Sequence, residues 1–167
     1  MIMHGMVSEG VEMVKAVRER YDGERRNPWN EIECGGHYAR AMSNWSLLLA
    51  LSGFTYDGPK GIMGVAPVFK PDSFKSVFTA AEGWGVFEQQ RKGTGQQEKI
   101  ALKWGKLPLR RMIFALSQNA KPAAVEVRVA GKVIKATHAI EGSRLSISLP
   151  SGITLQAGQT LEVSIRI

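Results

Sequence analysis

The sequence predicts an α+β protein in which helices come first and an antiparallel, sandwich-like β-rich region comes last. Three observations predict it. Apolar residues recur at spacings of three and four before Gly53, Val125/Val127/Val129 and Leu161/Val163/Ile165/Ile167 alternate with polar residues, and glycine-bearing turns follow at short intervals through the final third. The 167 residues suit one domain or a small pair, and a hydrophobic content of 44% is enough to bury a core.

The first helix is expected over about 6–20. Val7, Val11, Val14 and Val17 make one stripe, Ser8 is placed to cap the start, and Tyr21-Asp22-Gly23 closes the end because glycine accepts a left-handed conformation. Pro28 holds Asn27 extended before the next element. The second helix is expected over 37–52, stopping at Gly53. Tyr38, Ala41, Met42, Trp45, Leu48 and Leu49 fall on one side and Arg40 and Asn44 on the other, which continues as Leu47 and Leu51. A helix apolar almost all round requires neighbours on several sides. Residues 54–67 are rich in glycine and proline and read as a shaped loop.

From residue 75 the period shifts toward two. Residues 76–79 and 85–89 read as extended, joined through Ala80-Ala81-Glu82-Gly83-Trp84, and Lys92-Gly93-Thr94-Gly95 makes a turn. Strands are then expected at 99–104, 109–116, 125–129, 133–136, 144–149, 153–155 and 161–167. Ala130-Gly131, Glu141-Gly142-Ser143, Ser151-Gly152 and Ala157-Gly158-Gln159 separate them, an arrangement that favours hairpins in a sandwich.

Composition narrows the function classes. The formal charge of +7 comes from dispersed Lys and Arg, with runs no longer than Arg25-Arg26 and Arg110-Arg111, so it reads as solubility and not as a track for nucleic acid. A lone Cys34 excludes an internal disulfide framework, and with three scattered histidines it argues against a metal site; no cofactor is implied. The compartment stays open, with the cytoplasm favoured. The first residues lack the basic start and apolar run of a signal peptide, and no segment reaches transmembrane length.

Chemistry concentrates at 26–42, where Glu31, Glu33, His37 and Arg40 stand at the entrance to the second helix. A sugar hydroxyl both donates and accepts, so a pyranose subsite needs carboxylate acceptors and cationic donors that converge. Glu31 and Arg40, nine positions apart across the Gly35-Gly36 bend, suit those roles, and Trp29 or Trp84 offers an apolar face to a ring. The competing reading is a helix start whose acids favour the dipole and pair with Arg40, with His37 and the tryptophans structural. A glycosidase also needs two carboxyl groups, about 5–5.5 Å apart for retention or about 6.5–9.5 Å for inversion. Glu31, Glu33 and Glu82 are the carboxylates in site-like surroundings, and none has an evident acid partner by spacing. No nucleophile-elbow motif accompanies the histidines.

These residues resemble the C-terminal region of glycoside hydrolase family 116, the bacterial β-glucosidases and the non-lysosomal glucosylceramidase. The resemblance is carried by Arg20-Tyr21-Asp22-Gly23, by the block 26–42, by 49–54 with Tyr56-Asp57-Gly58-Pro59, and by Phe78-Thr79-Ala80-Ala81-Glu82-Gly83-Trp84-Gly85. It implies that residues 1–95 are the C-terminal portion of an (α/α)6 glycosidase barrel with sugar-subsite loops, and 96–167 a β-rich extension. Glu31 and Arg40 fall on family positions that hydrogen-bond glucose hydroxyls, and His37 and Trp84 join them as expected substrate-binding residues. The family's glutamate nucleophile and aspartate acid/base belong to motifs upstream, so the resemblance implies no catalytic residue in this chain and no turnover by the chain alone. Gly36 stands where the family usually has aspartate before the histidine. The implied partners are a β-glucoside or glucosylated lipid substrate and the missing catalytic-domain segment. The alternative is a non-catalytic carbohydrate-binding or assembly module in which the C-terminal sheet does the binding.

Overall fold

The computed structural model describes residues 1–27 and 44–167, which form two compact units, Met1–Leu51 and Ser52–Ile167. In the first, a 3-10 turn (Ile2–His4) precedes helix α1 (Val7–Arg18). The expected capping role of Ser8 is corrected: Met6 occupies the cap position, no side chain caps the helix, and Ser8 lies inside it. The turn fixes the entry instead. The amides of His4 and Met6 donate to the Met1 carbonyl, and Gly10, having no side chain, leaves room for the buried Ile2, whose Cγ1 would lie 2.5 Å from a Cβ there.

Helix α2 (Asn44–Ser52) ends where Gly53 takes a φ of 57°, as the sequence predicts. The Ser52 carbonyl then accepts from Ala66 N–H at 3.0 Å. Trp45 and Leu49 on this apolar helix are 68% and 47% exposed. Neither helix is long and apolar enough to cross a membrane.

The second unit is built from ten strands: β1 (Thr55–Asp57), β2 (Ile62–Val65), β3 (Ser73–Ala80), β4 (Gly83–Lys92), β5 (Gly95–Ala115), β6 (Ala124–Val129), β7 (Lys132–Ile134), β8 (Thr137–Glu141), β9 (Arg144–Gln156) and β10 (Thr160–Arg166). They make two sheets that share the long β5. Its first half lies in the order β3-β4-β5-β10-β6-β7 and its second half in β1-β2-β5-β9-β8. Every pairing is antiparallel except β2 with β5.

Where two strands were expected at 99–104 and 109–116 there is one, because its alternation changes phase twice. Gln96, Glu98, Ile100 and Leu102 point inward, then Leu107 and Leu109, then Met112 and Phe114. Each change coincides with a register shift: at Lys103 an extra residue of β5 bulges from its ladder with β4, and at Arg110 one residue of β5 stands opposite four of β9. Likewise β9 runs through Pro150-Ser151-Gly152, which the sequence marks as a turn; the chain bows there opposite Arg110 and resumes pairing. The 54–67 stretch supplies β1 and β2, and β8, fully exposed along its length, is an added edge strand. Residues 55–92 contribute four strands to the unit Ser52–Ile167.

The two sheets face each other across one apolar core. Phe87 on β4 stacks on Phe114 at the far end of β5, with ring centroids 6.1 Å apart and planes at 14°. The β-rich, sandwich-like region is therefore present, with helices ahead of it in the chain.

Candidate functional site

Among the expected substrate-binding residues, Glu31, His37 and Arg40 lie outside the described residues, as do Trp29 and Cys34. Trp84 is described. It sits at the start of β4, directly opposite Trp104 of β5, and the two indoles are 46% and 64% exposed on the outer face of their sheet.

The local sequence explains this placement. Gly83 and Gly85 flank Trp84 on the inward side, where backbone and Phe78 leave no room: a Cβ on Gly83 would lie 2.6 Å from the Trp104 carbonyl oxygen, and one on Gly85 2.8 Å from the Phe78 ring. The side chain between them is turned outward. Trp104 is set outward by the Lys103 bulge, since without the extra residue it would share the inward phase of Ile100 and Leu102. A strand irregularity thus carries a large aromatic group out of the core and beside another. Each indole has about 150–250 Å² to bury, so exposure of both forgoes a substantial hydrophobic gain.

Around the pair the face is graded. Thr79 is opposite Trp84 on β3, and the next row is Val77, Val86 and Ala101, with Val77 46% exposed. Beyond it lies a charged row of Lys75, Glu88, Lys99 and Glu162. Lys75 Nζ is 2.8 Å from Glu88, and that hydrogen bond holds the Glu88 carboxyl below the usual glutamate range. On the other side of the tryptophans, Lys106 Nζ is 3.0 Å from Glu82. The result is an aromatic and aliphatic strip between two ion pairs. An indole face stacks on the C–H face of a pyranose, and flanking carboxylate and ammonium groups serve its hydroxyls.

Sequence reasoning singled out Trp84 and missed Trp104. Its signal was present: both tryptophans stand next to glycine, and Lys103-Trp104 breaks an otherwise regular alternation. A separate cleft of about 390 Å³ lies where β9 bows, lined by Gly61, Arg110, Ser151, Gly152 and Thr154. In the helical unit a hollow of about 370 Å³ is lined by Met1, Met3, His4, Met13, Val14 and Leu47. Neither gathers aromatic faces with flanking charge.

Fold and surface together define a β-rich domain presenting a paired-tryptophan strip. No protein-family model matches the chain, and no curated protein matches it. Among solved structures it is similar to an alpha-L-rhamnosidase from Dictyoglumus thermophilum, with 10% identity and a TM-score of 0.40, over 75% of this chain and 13% of that one. The chain thus spans a small fraction of that enzyme, and a likeness at this level assigns neither substrate nor activity.

Proposed function

We propose that the chain is a carbohydrate-binding part of a glycoside hydrolase, and that its β unit engages glycan through Trp84 and Trp104. The observation that carries this reading is the cross-strand tryptophan pair, held outward by two glycines and a bulge. The finer reading rests on the resemblance to glycoside hydrolase family 116. On it, Glu31 and Arg40, with His37, grip the hydroxyls of a glucosyl unit in a retaining β-glucosidase or glucosylceramidase-like enzyme, and the nucleophile and acid/base come from a segment outside this chain, an (α/α)6 barrel to which the helices belong.

Titrating the chain with a cello-oligosaccharide tests the surface. Trp84→Ala and Trp104→Ala should each weaken binding about tenfold, the equivalent of roughly 1.4 kcal/mol, because each removes one stacking face. Val77→Ala, at the edge of the strip, should change affinity little. Unchanged binding in both tryptophan variants would remove the surface from the proposal. Glu31→Gln and Arg40→Ala test the subsite separately, against an aryl β-glucoside that the chain alone should bind without hydrolysing.

The exposed Trp45 and Leu49 of α2 favour a second role, in assembly. Sedimentation should show concentration-dependent association that Trp45→Asp relieves; a monomer at every concentration would dismiss it.

A further inference from the structure

The β unit also encloses a polar cluster that glycan binding does not use. Gln89 on β4, and Gln96 and Glu98 on β5, are inward-facing polar side chains in a sheet whose other fully buried side chains are apolar, and all three are essentially inaccessible to water. The Gln89 amide nitrogen donates to the Pro71 carbonyl at 2.6 Å, which fixes the direction of that amide. Gln96 Nε2 donates to Glu98 Oε1 at 2.6 Å and to the Ala115 carbonyl at 2.7 Å. Arg91 Nε donates to Gln96 Oε1 at 3.0 Å, and another guanidinium nitrogen donates to the Ala115 carbonyl at 2.9 Å.

Two buried acceptors are left over, Gln89 Oε1 and Glu98 Oε2. Their residues are direct cross-strand partners, so both point to the same side of the sheet from neighbouring strands. Two orphaned acceptor oxygens on the same side of neighbouring strands are costly if neither carries hydrogen, and a single proton shared between them would satisfy both. We propose that Glu98 is held as a neutral carboxylic acid whose O–H donates to Gln89 Oε1, forming a protonation-dependent latch between the two strands that carry Trp84 and Trp104.

The surroundings agree. On β3 the partner of Gln89 is Phe74; on β10 the partners of Glu98 and Gln96 are Val163 and Ile165; on β6 Val127 follows; and the core side chains of the facing sheet are apolar. The charge acting on Glu98 is that of Arg91, which is itself shared with Asp72 at 3.9 Å. Burial outweighs both this charge and the Gln96 hydrogen bond, and the Glu98 carboxyl is pushed up to about 8 from an ordinary 4.5. Between those values the folded chain holds a proton that the unfolded chain has released. Stability from the latch is therefore complete below about pH 4.5, falls as pH rises, and levels off above about 8.

The test is urea denaturation of the whole chain from pH 5 to 9, with an NMR titration of the Glu98 carboxyl. The folding equilibrium constant should fall by up to about tenfold per pH unit up to about pH 8, and the carboxyl should titrate near the top of that range. Glu98→Gln keeps a donor for Gln89 and an acceptor for Gln96, so it should remove this slope and be at least as stable as the parent at pH 8. A carboxyl that titrates in the ordinary glutamate range overturns the proposal. So does a Glu98→Gln variant that is less stable at every pH, the result expected of an ionised Glu98 bridged by water. Glycan affinity at fixed pH is a separate readout, so the latch and the tryptophan surface fail independently.

Discussion

Gly105→Ala should cost the β unit at least about 3 kcal/mol or prevent it from folding, because two penalties of different origin coincide there. Gly105 has a φ of 77°, a left-handed conformation that costs an L-residue roughly 1–2 kcal/mol. A Cβ would also collide with the Glu82 carbonyl oxygen and approach Gly83 Cα to 2.8 Å, both backbone atoms that no rotamer change can move. The strand is pinned on both sides, since Lys106 N–H donates to the Glu82 carbonyl at 3.0 Å and the Gly105 carbonyl accepts from Ala157 at 3.1 Å. This is also where β5 leaves one sheet for the other, so a local shift would displace the ladders on either side. Gly93→Ala is the control. Its φ is 56° but nothing lies within 4 Å of a Cβ, so only the conformational penalty of about 1 kcal/mol applies. Urea midpoints for the two variants check the argument, and equal losses would show that crowding at Gly105 contributes nothing.

The same residue shows why part of the fold was legible in sequence and part was not. Regular alternation announces a strand, and β6, β10, β3 and β4 all followed from it. The long β5 did not, because each bulge resets the alternation and the two resets resemble strand ends. Pro108 and Gly105 strengthen that impression, although here glycine marks a crossing between sheets and proline sits within a paired strand. The β8 edge has no buried residues, so it carries no apolar pattern to read. Helix α2 ended where Gly53 predicted, since a left-handed glycine is a local signal. The site divides likewise. Trp84 could be singled out from its motif, whereas its pairing with Trp104 depends on a register that only the folded sheet defines. Burial of Glu98 was equally invisible. Its neighbours Gln96 and Lys99 make a polar run, and only the inward phase of the strand places the carboxyl in the core.

Phe87→Ala and Phe114→Ala should each destabilise the β unit by about 3–5 kcal/mol, the range for removing a buried aromatic ring and leaving a cavity. Both side chains are almost wholly inaccessible, at 1% and 0% exposure. They come from opposite sheets, so their stacking is a direct link across the sandwich and not a contact within one ladder. Phe74, tilted against Phe87 at 6.4 Å between centroids, widens the cluster on one side only. Loss of either ring therefore opens a gap between sheets that are held elsewhere by the continuous β5, and this limits how far they can close over it. The double variant should lose less than the sum of the single losses by about 0.5–1.5 kcal/mol, because the stacking term is removed by either change. Exposed Val77→Ala should shift stability by no more than about 0.5 kcal/mol. Strict additivity in the double variant would mean that the rings fill space independently, and that the two sheets are held together by overall apolar burial and the shared strand without a specific aromatic contact.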